Sequence, residues 1–543
     1  MKKIFTAFIM MLCAACVASG ANYLTFTAKE DSSTFGIVYE WSGLLNYWPN
    51  IQYSLDEGET WSKLAIGDII ILEKKGDKAL IRGYNENGMG DWSTYYVYEY
   101  ETESNFQYNY TQFVMTGAIA ASGSVMSLID GIGETLVVPS DNCFFGLFSG
   151  CTSLTKAPEL PATSLASNCY SEMFSGCTSL TNAPELPATT LASYCYSGMF
   201  SGCTSLTNAP ELPATSLASY CYSRMFSRCT SLTNAPELPA TTLHGYCYEK
   251  MFSGCTNLTN APELPATSLA SYWSYCYSGM FSGCTSLTKA PELPATSLAS
   301  NCYSGMFSGC TSLTNAPNLP ATTLEWNCYE EMFSGCTNLT KAPELPATSL
   351  ASYCYSGMFS GCTSLTNAPN LPATTLEWNC YEKMFSGCTN LTKAPNLPAS
   401  KLTGSCYEGM FSGCTNLSEI SVDFTKWGSW NTDFWVENVA PTGTFYCPKE
   451  LPLEHGVDRI PEGWTVKHIE VGVNATLADN ITIWSDDLTI YVRGAKGEVA
   501  IYDLSGKRVA VSNSTDEERA LSVPAKGVYV VRTSDGEKSV LVR

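Results

Sequence analysis

Thiols are the most abundant reactive groups in this chain, and their spacing is regular. Of 25 cysteines, 22 form eleven Cys-x7-Cys pairs, from Cys143 and Cys151 to Cys406 and Cys414; Cys447 stands apart, and Cys13 and Cys16 lie near the start. Metal binding is a poor fit. The spacing is not that of a Cys-x2–4-Cys site, and the histidines, His244, His455 and His468, are scattered. Nucleophilic catalysis fits no better. The same Met-Phe-Ser-Gly-Cys run returns at turn after turn, with no repeated histidine to activate its serine or thiol. Disulfides need a turn that brings residues eight apart within about 4.4–6.8 Å between Cα atoms. A secreted chain would favour such bridges. A free cysteine, however, packs as a small hydrophobe. The expectation is a ladder of buried, reduced cysteines.

Other chemistry is sparse. The chain has no G-x-S-x-G elbow, no phosphate-binding G-x-x-x-x-G-K-[ST] loop, no H-E-x-x-H, and Gly131-Ile132-Gly133 lacks the rest of a dinucleotide fingerprint. Carboxylates are plentiful, so a glycosidase pair stays chemically open, but the repeats offer no unique pair. Residues 54–61, S-L-D-E-G-E-T-W, resemble the Asp-box hairpin of sialidases. Asp56 can close that turn, Gly58 supply a positive φ, and Trp61 pack beneath. The box occurs once, without an arginine cluster for a carboxylated sugar, and is read as a hairpin staple. No enzyme, cofactor or metal is expected.

What positions the cysteines is a repeat. The Cys that closes each copy stands at 151, 177, 203, 229, 255, 284, 310, 336, 362, 388 and 414, every step 26 residues except one of 29. A period in this range means stacked units that cannot bury their apolar faces alone. Nearly constant between copies are Leu154, Ala157-Pro158, Leu160-Pro161, Leu165, Cys169-Tyr170, Met173-Phe174 and Gly176-Cys177 with their equivalents. Residues 310–361 and 362–413 are near-duplicates, so recent duplication explains part of that constancy. In each turn, Leu154, Ala157 and Leu160 should face inward from a short extended run. Pro158 and Pro161 should interrupt and turn it. Residues 169–177 should form a short helical or 3₁₀ turn that drives Met173 and Phe174 inward.

L-x-x-A-P-x-L-P followed by C-Y-x-x-M-F-S-G-C-T-S-L resembles the BspA-like leucine-rich repeat, with Met-Phe in place of that family's Ala-Phe. The resemblance implies a leucine-rich-repeat solenoid of short parallel strands plus short helical turns. It also implies buried cysteine positions, a bacterial surface location and adhesion to host proteins.

The flanks divide the rest of the chain. Residues 1–21 read as a secretory signal peptide, with Lys2 and Lys3 before an apolar stretch and small residues at 18–21. Cys16 raises a lipoprotein alternative, but Cys13 stands where a lipobox wants leucine. Residues 22–135 read as an N-terminal β-sandwich-like domain, with strands near 24–28, 35–41, 51–55, 68–73 and 79–84. The solenoid spans 136–446. Residues 447–472 are its cap and linker, with Trp427, Trp430, Phe434 and Trp435 expected to cover its open end. Residues 473–543 read as a small β-sandwich. There, VAIYDLSGKRV, PAKGVYVV and the terminal KSVLVR resemble the C-terminal sorting domain of type IX secretion, implying export across the outer membrane. The alternative is a stability module.

Only 15% of residues are charged, and the formal net charge is −21. That balance argues against nucleic acid and anionic membranes. No second run of about 18 apolar residues suggests a membrane span in the mature chain. The reading is a secreted or surface-displayed, non-catalytic protein that binds a host or bacterial surface protein, or a glycan. A structural spacer presenting the N-terminal domain and a carbohydrate-binding protein are the alternatives. Candidate contacts are the residues preceding Ala-Pro (Lys156, Asn182, Asn208, Asn234, Asn260 and Lys289), together with Glu185, Glu211 and Glu237 after it. Trp326 and Trp378 of the twin TTLEWNCYE runs join them. So do Tyr272, Trp273 and Tyr275 at the 29-residue step, where three extra residues should bulge outward.

Overall fold

The computed structural model describes residues 20–40, 49–89, 110–269, 274–469, 482–486, 488–495, 497–503, 507–513, 518–525, 527–533 and 536–542. The chain divides into two compact units, one of residues 1–446 and 451–466, the other of 447–450 and 467–543. Residues 1–19 of the expected signal peptide lie outside the described residues.

The first unit opens with eight strands: β1 Leu24–Ala28, β2 Ser33–Glu40, β3 Ile51–Ser54, β4 Ser62–Lys63, β5 Ile69–Leu72, β6 Lys78–Gly83, β7 Tyr110–Thr116 and β8 Ile119–Ser122. They form two sheets, ordered β4-β3-β6-β1-β8 and β5-β2-β7. Leu24, Phe26 and Ala28 alternate inward along β1, as a half-buried strand requires. Phe26 meets Phe35 and Phe113 of the other sheet edge-on, at 5.2 and 5.1 Å. The Asp-box closes as its residues imply. Thr60 N–H donates to Asp56 Oδ1 at 2.9 Å, Ser54 Oγ donates to the same oxygen at 2.6 Å, and Trp61 Nε1 donates to the Gly58 carbonyl at 3.1 Å. Hydrogen bonds from Ser54 and Thr60 hold the Asp56 carboxyl down at about 2.

The larger sheet continues into the repeats. Strand β9, Leu154–Lys156, pairs in parallel with β8. Phe113 stacks on Phe148 at 5.2 Å, and the Cys151 thiol donates to the Phe113 carbonyl at 3.0 Å. The sandwich thus seals the first turn, whose apolar face would otherwise meet water.

The structure is a β-solenoid of about ten turns with almost no helix. The expected helical turns are absent among the described residues: the one α-helix, Ser127–Asp130, precedes the repeats. In its place runs a series of overlapping turns. N–H groups of Ser171, Met173, Ser175 and Cys177 bond three residues back within their own turn. Those of Asn168, Tyr170, Glu172, Phe174 and Gly176 reach carbonyls of the next turn, Ser193 to Ser201, at 2.7–3.1 Å. Left-handed φ at Asn168 (59°), Glu172 (55°) and Gly176 (71°) aims those donors outward along the stack. Each non-glycine residue there costs on the order of 1 kcal/mol. The bond it makes to the next turn offsets the cost, whereas a helix would send every N–H back along its own turn.

On the other side of each turn the prolines dominate. Ala-Pro and Leu-Pro supply no N–H, so the parallel ladder shrinks to fragments. Ser216–Leu217 pairs with Thr242–Leu243, and Ser268–Leu269 with Ser297–Leu298. Elsewhere there are single bridges such as Asn182 with Asn208 and Asn234 with Asn260.

Between the two sides lie the ladders. Phe148 through Phe411 stack turn upon turn; Phe200 is fully buried, 5.6 Å from Phe174 and 5.7 Å from Phe226. Tyr170 through Tyr407 form a second stack. All 23 described cysteines are buried and unpaired. Each closing thiol caps a carbonyl of the turn before: Cys203 donates to Phe174 at 3.0 Å, Cys310 to Phe281 at 3.1 Å, and Cys414 to Phe385 at 3.0 Å. A disulfide would remove that donor. Seven tyrosine hydroxyls of the second stack, from Tyr248 to Tyr407, are buried without a hydrogen-bond partner.

At the 29-residue step, Ser268–Leu269 is in register with the next turn, and register returns at Ser274, whose carbonyl accepts from Tyr246 N–H. The insertion expected to bulge outward falls on 270–273, which lie outside the described residues. At the far end, Phe424, Trp427, Trp435 and Phe445 cluster over the last turn, and Trp435 is fully buried. The expectation that Trp430 and Phe434 share this role is corrected: they are 74% and 55% exposed. Both stand at left-handed positions (φ 63° and 53°), whose equivalents in earlier turns carry their side chains on the outside.

The second unit is a small β fold. Thr482–Asp486, Thr489–Arg493 and Glu518–Ser522 make one antiparallel sheet; Arg508–Ser512, Val499–Asp503, Gly527–Thr533 and Gly536–Val542 make another. Ile490, Val492, Val499, Ile501, Leu521 and Val531 form its core.

Candidate functional site

The solenoid presents two long surfaces, one on each side of the ladders. The first carries the residues flanking Ala-Pro. Lys156, Asn182, Asn208, Asn234, Asn260 and Lys289 follow one another up the stack, and all are exposed, as are Glu185, Glu211 and Glu237 beside them. The structure brings these predicted contacts together in one strip. The asparagine amides among them are engaged with one another and with the neighbouring threonines. Asn208 Nδ2 donates to Asn182 Oδ1 at 3.1 Å and to its neighbour Thr207 Oγ1 at 3.2 Å. Asn260 repeats the pattern with Asn234 and Thr259, at 3.4 and 3.1 Å. No large aromatic side chain stands in the strip.

The second surface follows from the overlapping turns. Alternating left-handed residues put the side chain before each Cys-Tyr on the outside. There Tyr194, Tyr220, Tyr246 and Tyr275 stack face to face, with centroids 4.1, 4.2 and 4.5 Å apart. Burial and the adjoining tyrosine hydroxyls push Tyr220 and Tyr246 up to about 12. Tyr275, a predicted contact, is half-buried as the last member of this stack. Tyr272 and Trp273, predicted beside it, lie outside the described residues.

Farther along, Trp326 and Trp378 are 60% and 63% exposed, and Tyr353 is 39% exposed in the turn between them. Trp430 and Phe434 continue the surface. Every exposed aromatic residue of the described repeats is thus on this side. Sequence reasoning found the two tryptophans and missed Tyr194, Tyr220, Tyr246, Tyr353, Trp430 and Phe434. The signal was present: the position before Cys-Tyr switches between Asn and Tyr, with Ser405 in the last copy, while the Cys-Tyr that follows stays constant.

Acidic groups accompany the aromatics. Glu249 is buried to 8% exposure, accepting from Ser223 Oγ at 3.0 Å with Arg224 at 3.5 Å. Burial pushes Glu330 up, and the nearby Glu331 and Glu382 add to it. Lys383 Nζ sits 2.7 Å from Glu382 Oε1.

The 23 described cysteines are buried. Burial pushes the thiols of Cys151, Cys203, Cys255 and Cys336 up to about 12, the opposite of what a thiolate nucleophile needs. Among the described residues, no three His, Cys, Asp or Glu side chains are grouped to hold a metal ion, and no helix is long and apolar enough to cross a membrane.

No curated protein and no solved structure gave a match to the chain. A family described as BspA type leucine rich repeat region matches in 6 copies, over residues 145–259, 249–392 and 329–429. Those overlapping segments run through the stacked Phe, Tyr and Cys ladders and cover just over half of the 543 residues. On that match and the solenoid it describes, the chain belongs to the BspA-type leucine-rich repeat family.

Proposed function

We propose that this is a non-catalytic binding protein, secreted or displayed on a bacterial surface, that adheres to host or bacterial surface proteins through the aromatic side of its solenoid. One observation carries the reading: the exposed aromatics of the repeats gather on one side of an otherwise polar rod. Tryptophan and tyrosine combine large contact area with few rotors, and they dominate binding energy where they lie exposed in a cluster. The buried thiols with raised pKa values support the non-catalytic half. The basic and apolar start of residues 1–21 supports export, and the small β fold of the described residues between 482 and 542 supports a separate C-terminal sorting module. Family resemblance supports the surface location.

The test is adhesion of beads bearing the full chain to immobilised matrix and bacterial-surface proteins. Trp326→Ala/Trp378→Ala should reduce adhesion, and Asn208→Ala/Asn234→Ala should not. The reverse pattern, or turnover of a glycan by the full chain, would overturn the reading. Protease shaving of intact producing cells should release solenoid fragments; full protection would remove the surface location.

A further inference from the structure

The patch around Trp326 and Trp378 has a chemistry of its own. Asn301 N–H bonds the Trp326 carbonyl at 2.8 Å, Asn327 N–H that of Ser352 at 3.2 Å, and Tyr353 N–H that of Trp378 at 2.8 Å. Trp326, Ser352 and Trp378 therefore occupy one column in three successive turns. At the usual spacing of paired strands, the two tryptophans stand about 10 Å apart along the stack. Trp378 lies over Gly404 of the following turn, where a Cβ would come within 3.2 Å of the indole. Glycine leaves room for the ring to rest there.

Carboxylates surround this patch. Each tryptophan follows a glutamate, Glu325 or Glu377, and both are exposed. Glu330, Glu331 and Glu382 lie on the same two turns. Lys383 is the one basic residue near them in these turns, and it is spent on Glu382, which also accepts from Asn379 Nδ2 at 2.8 Å. Among the described residues, Glu325, Glu330, Glu331 and Glu377 make no ion pair. The electron-rich faces of indole and phenol attract a cation, and arginine above all, because its guanidinium both stacks on a ring and pairs with a carboxylate.

We propose that Trp326, Tyr353 and Trp378, with the glutamates around them, bind an extended arginine-bearing segment of a partner protein. This rests on the aromatic side being the adhesive one, and it names the partner's chemistry. The two tryptophans, two turns apart, can engage two cationic side chains of one strand-like segment. The twin EWNCYE runs are then two copies of one subsite.

The test titrates a labelled dodecapeptide of alternating glycine and arginine into the full chain, with fluorescence anisotropy as readout. A glycine–glutamate peptide and a neutral hexasaccharide serve as comparison probes. Binding should appear with the arginine peptide alone. It should weaken roughly tenfold or more in Trp326→Ala/Trp378→Ala. It should weaken again at about 0.5 M salt, where the screening length is under about 5 Å. Glu325→Gln/Glu331→Gln/Glu377→Gln keeps the aromatics and the fold, and should lose most of the affinity. No binding of the arginine peptide, or equal binding by both multiple variants, overturns the cationic partner. Binding of the hexasaccharide at the same tryptophans overturns it too, yet leaves the adhesive surface standing. Unchanged bead adhesion in the tryptophan double variant removes the adhesive surface itself.

Discussion

The two long sides of the solenoid share one core and one period, yet they differ in what they show to solvent. On the proline side, asparagine amides bond to each other and to the threonines beside them, so the surface meets its own needs. On the other side, left-handed residues such as Tyr194 and Tyr353 turn their side chains outward, and Trp326 and Trp378, each one residue ahead of a left-handed asparagine, are left substantially exposed. The lesson is that regular repetition does not make the surfaces equivalent. Local backbone sign opens one column to large side chains, and the position just ahead of it carries the two tryptophans.

The largest expected effect strikes both sides at once. Thiols such as Cys203 and Cys255 stand at about 12 when folded, against 9.0 for an ordinary thiol. A raised pKa favours the folded state fully below pH 9, and that contribution is lost as pH rises from about 9 to about 12. Urea titrations should therefore show stability falling steeply above pH 9. A flat profile to pH 11 would mean the thiols are already bridged or exposed.

Next comes the shared core. Phe200→Ala should cost roughly 3–5 kcal/mol, measured by denaturant unfolding, because the ring is fully buried between Phe174 and Phe226. Loss of order on one side alone would show that the two sides do not depend on a common ladder.

The comparison itself is tested by stability rather than binding. Trp326→Ala removes an exposed ring and should change unfolding free energy by less than about 0.5 kcal/mol. Asn234→Ala breaks an exposed amide contact and should do the same. A large cost for the tryptophan would make it a structural brace.

The smallest effect concerns the buried hydroxyls. Tyr303 Oη has no hydrogen-bond partner. Tyr303→Phe should leave stability unchanged or raise it by up to about 1 kcal/mol. A clear loss would show that the hydroxyl has a partner that must be identified.

Much of this was legible in the residues. Cysteine spacing located the turns, and the constant Leu, Met, Phe and Cys positions located the interior, because a stacked unit must bury the same columns each time. Five strands of the first sheet pair were readable from residue type, and Leu24–Ala28 matches the expected run, whereas Ser62–Lys63, Tyr110–Thr116 and Ile119–Ser122 were missed. The strand Glu518–Ser522 of the second unit was missed; its adjacent charges, Glu518 and Arg519, look like a loop until the sheet pairs them. Trp326 and Trp378 were found because they interrupt a repeated pattern. The tyrosine stack was missed because Tyr and Asn before Cys both look like ordinary polar turn residues.

By itself, the sequence determined the period, the buried columns and the prolines that cut the parallel ladder, since each depends on residue type at a fixed offset. Only the tertiary structure decided the form of residues 169–177. Helix and overlapping turns bury the same Tyr, Met and Phe, so composition cannot separate them. What separates them is where the N–H of Phe174 finds its acceptor, and that acceptor is the carbonyl of Met199 in the next turn. The same choice placed Tyr194, Tyr353 and Trp430 on the outside. A neighbouring turn is a property of the stack, and no single repeat contains it.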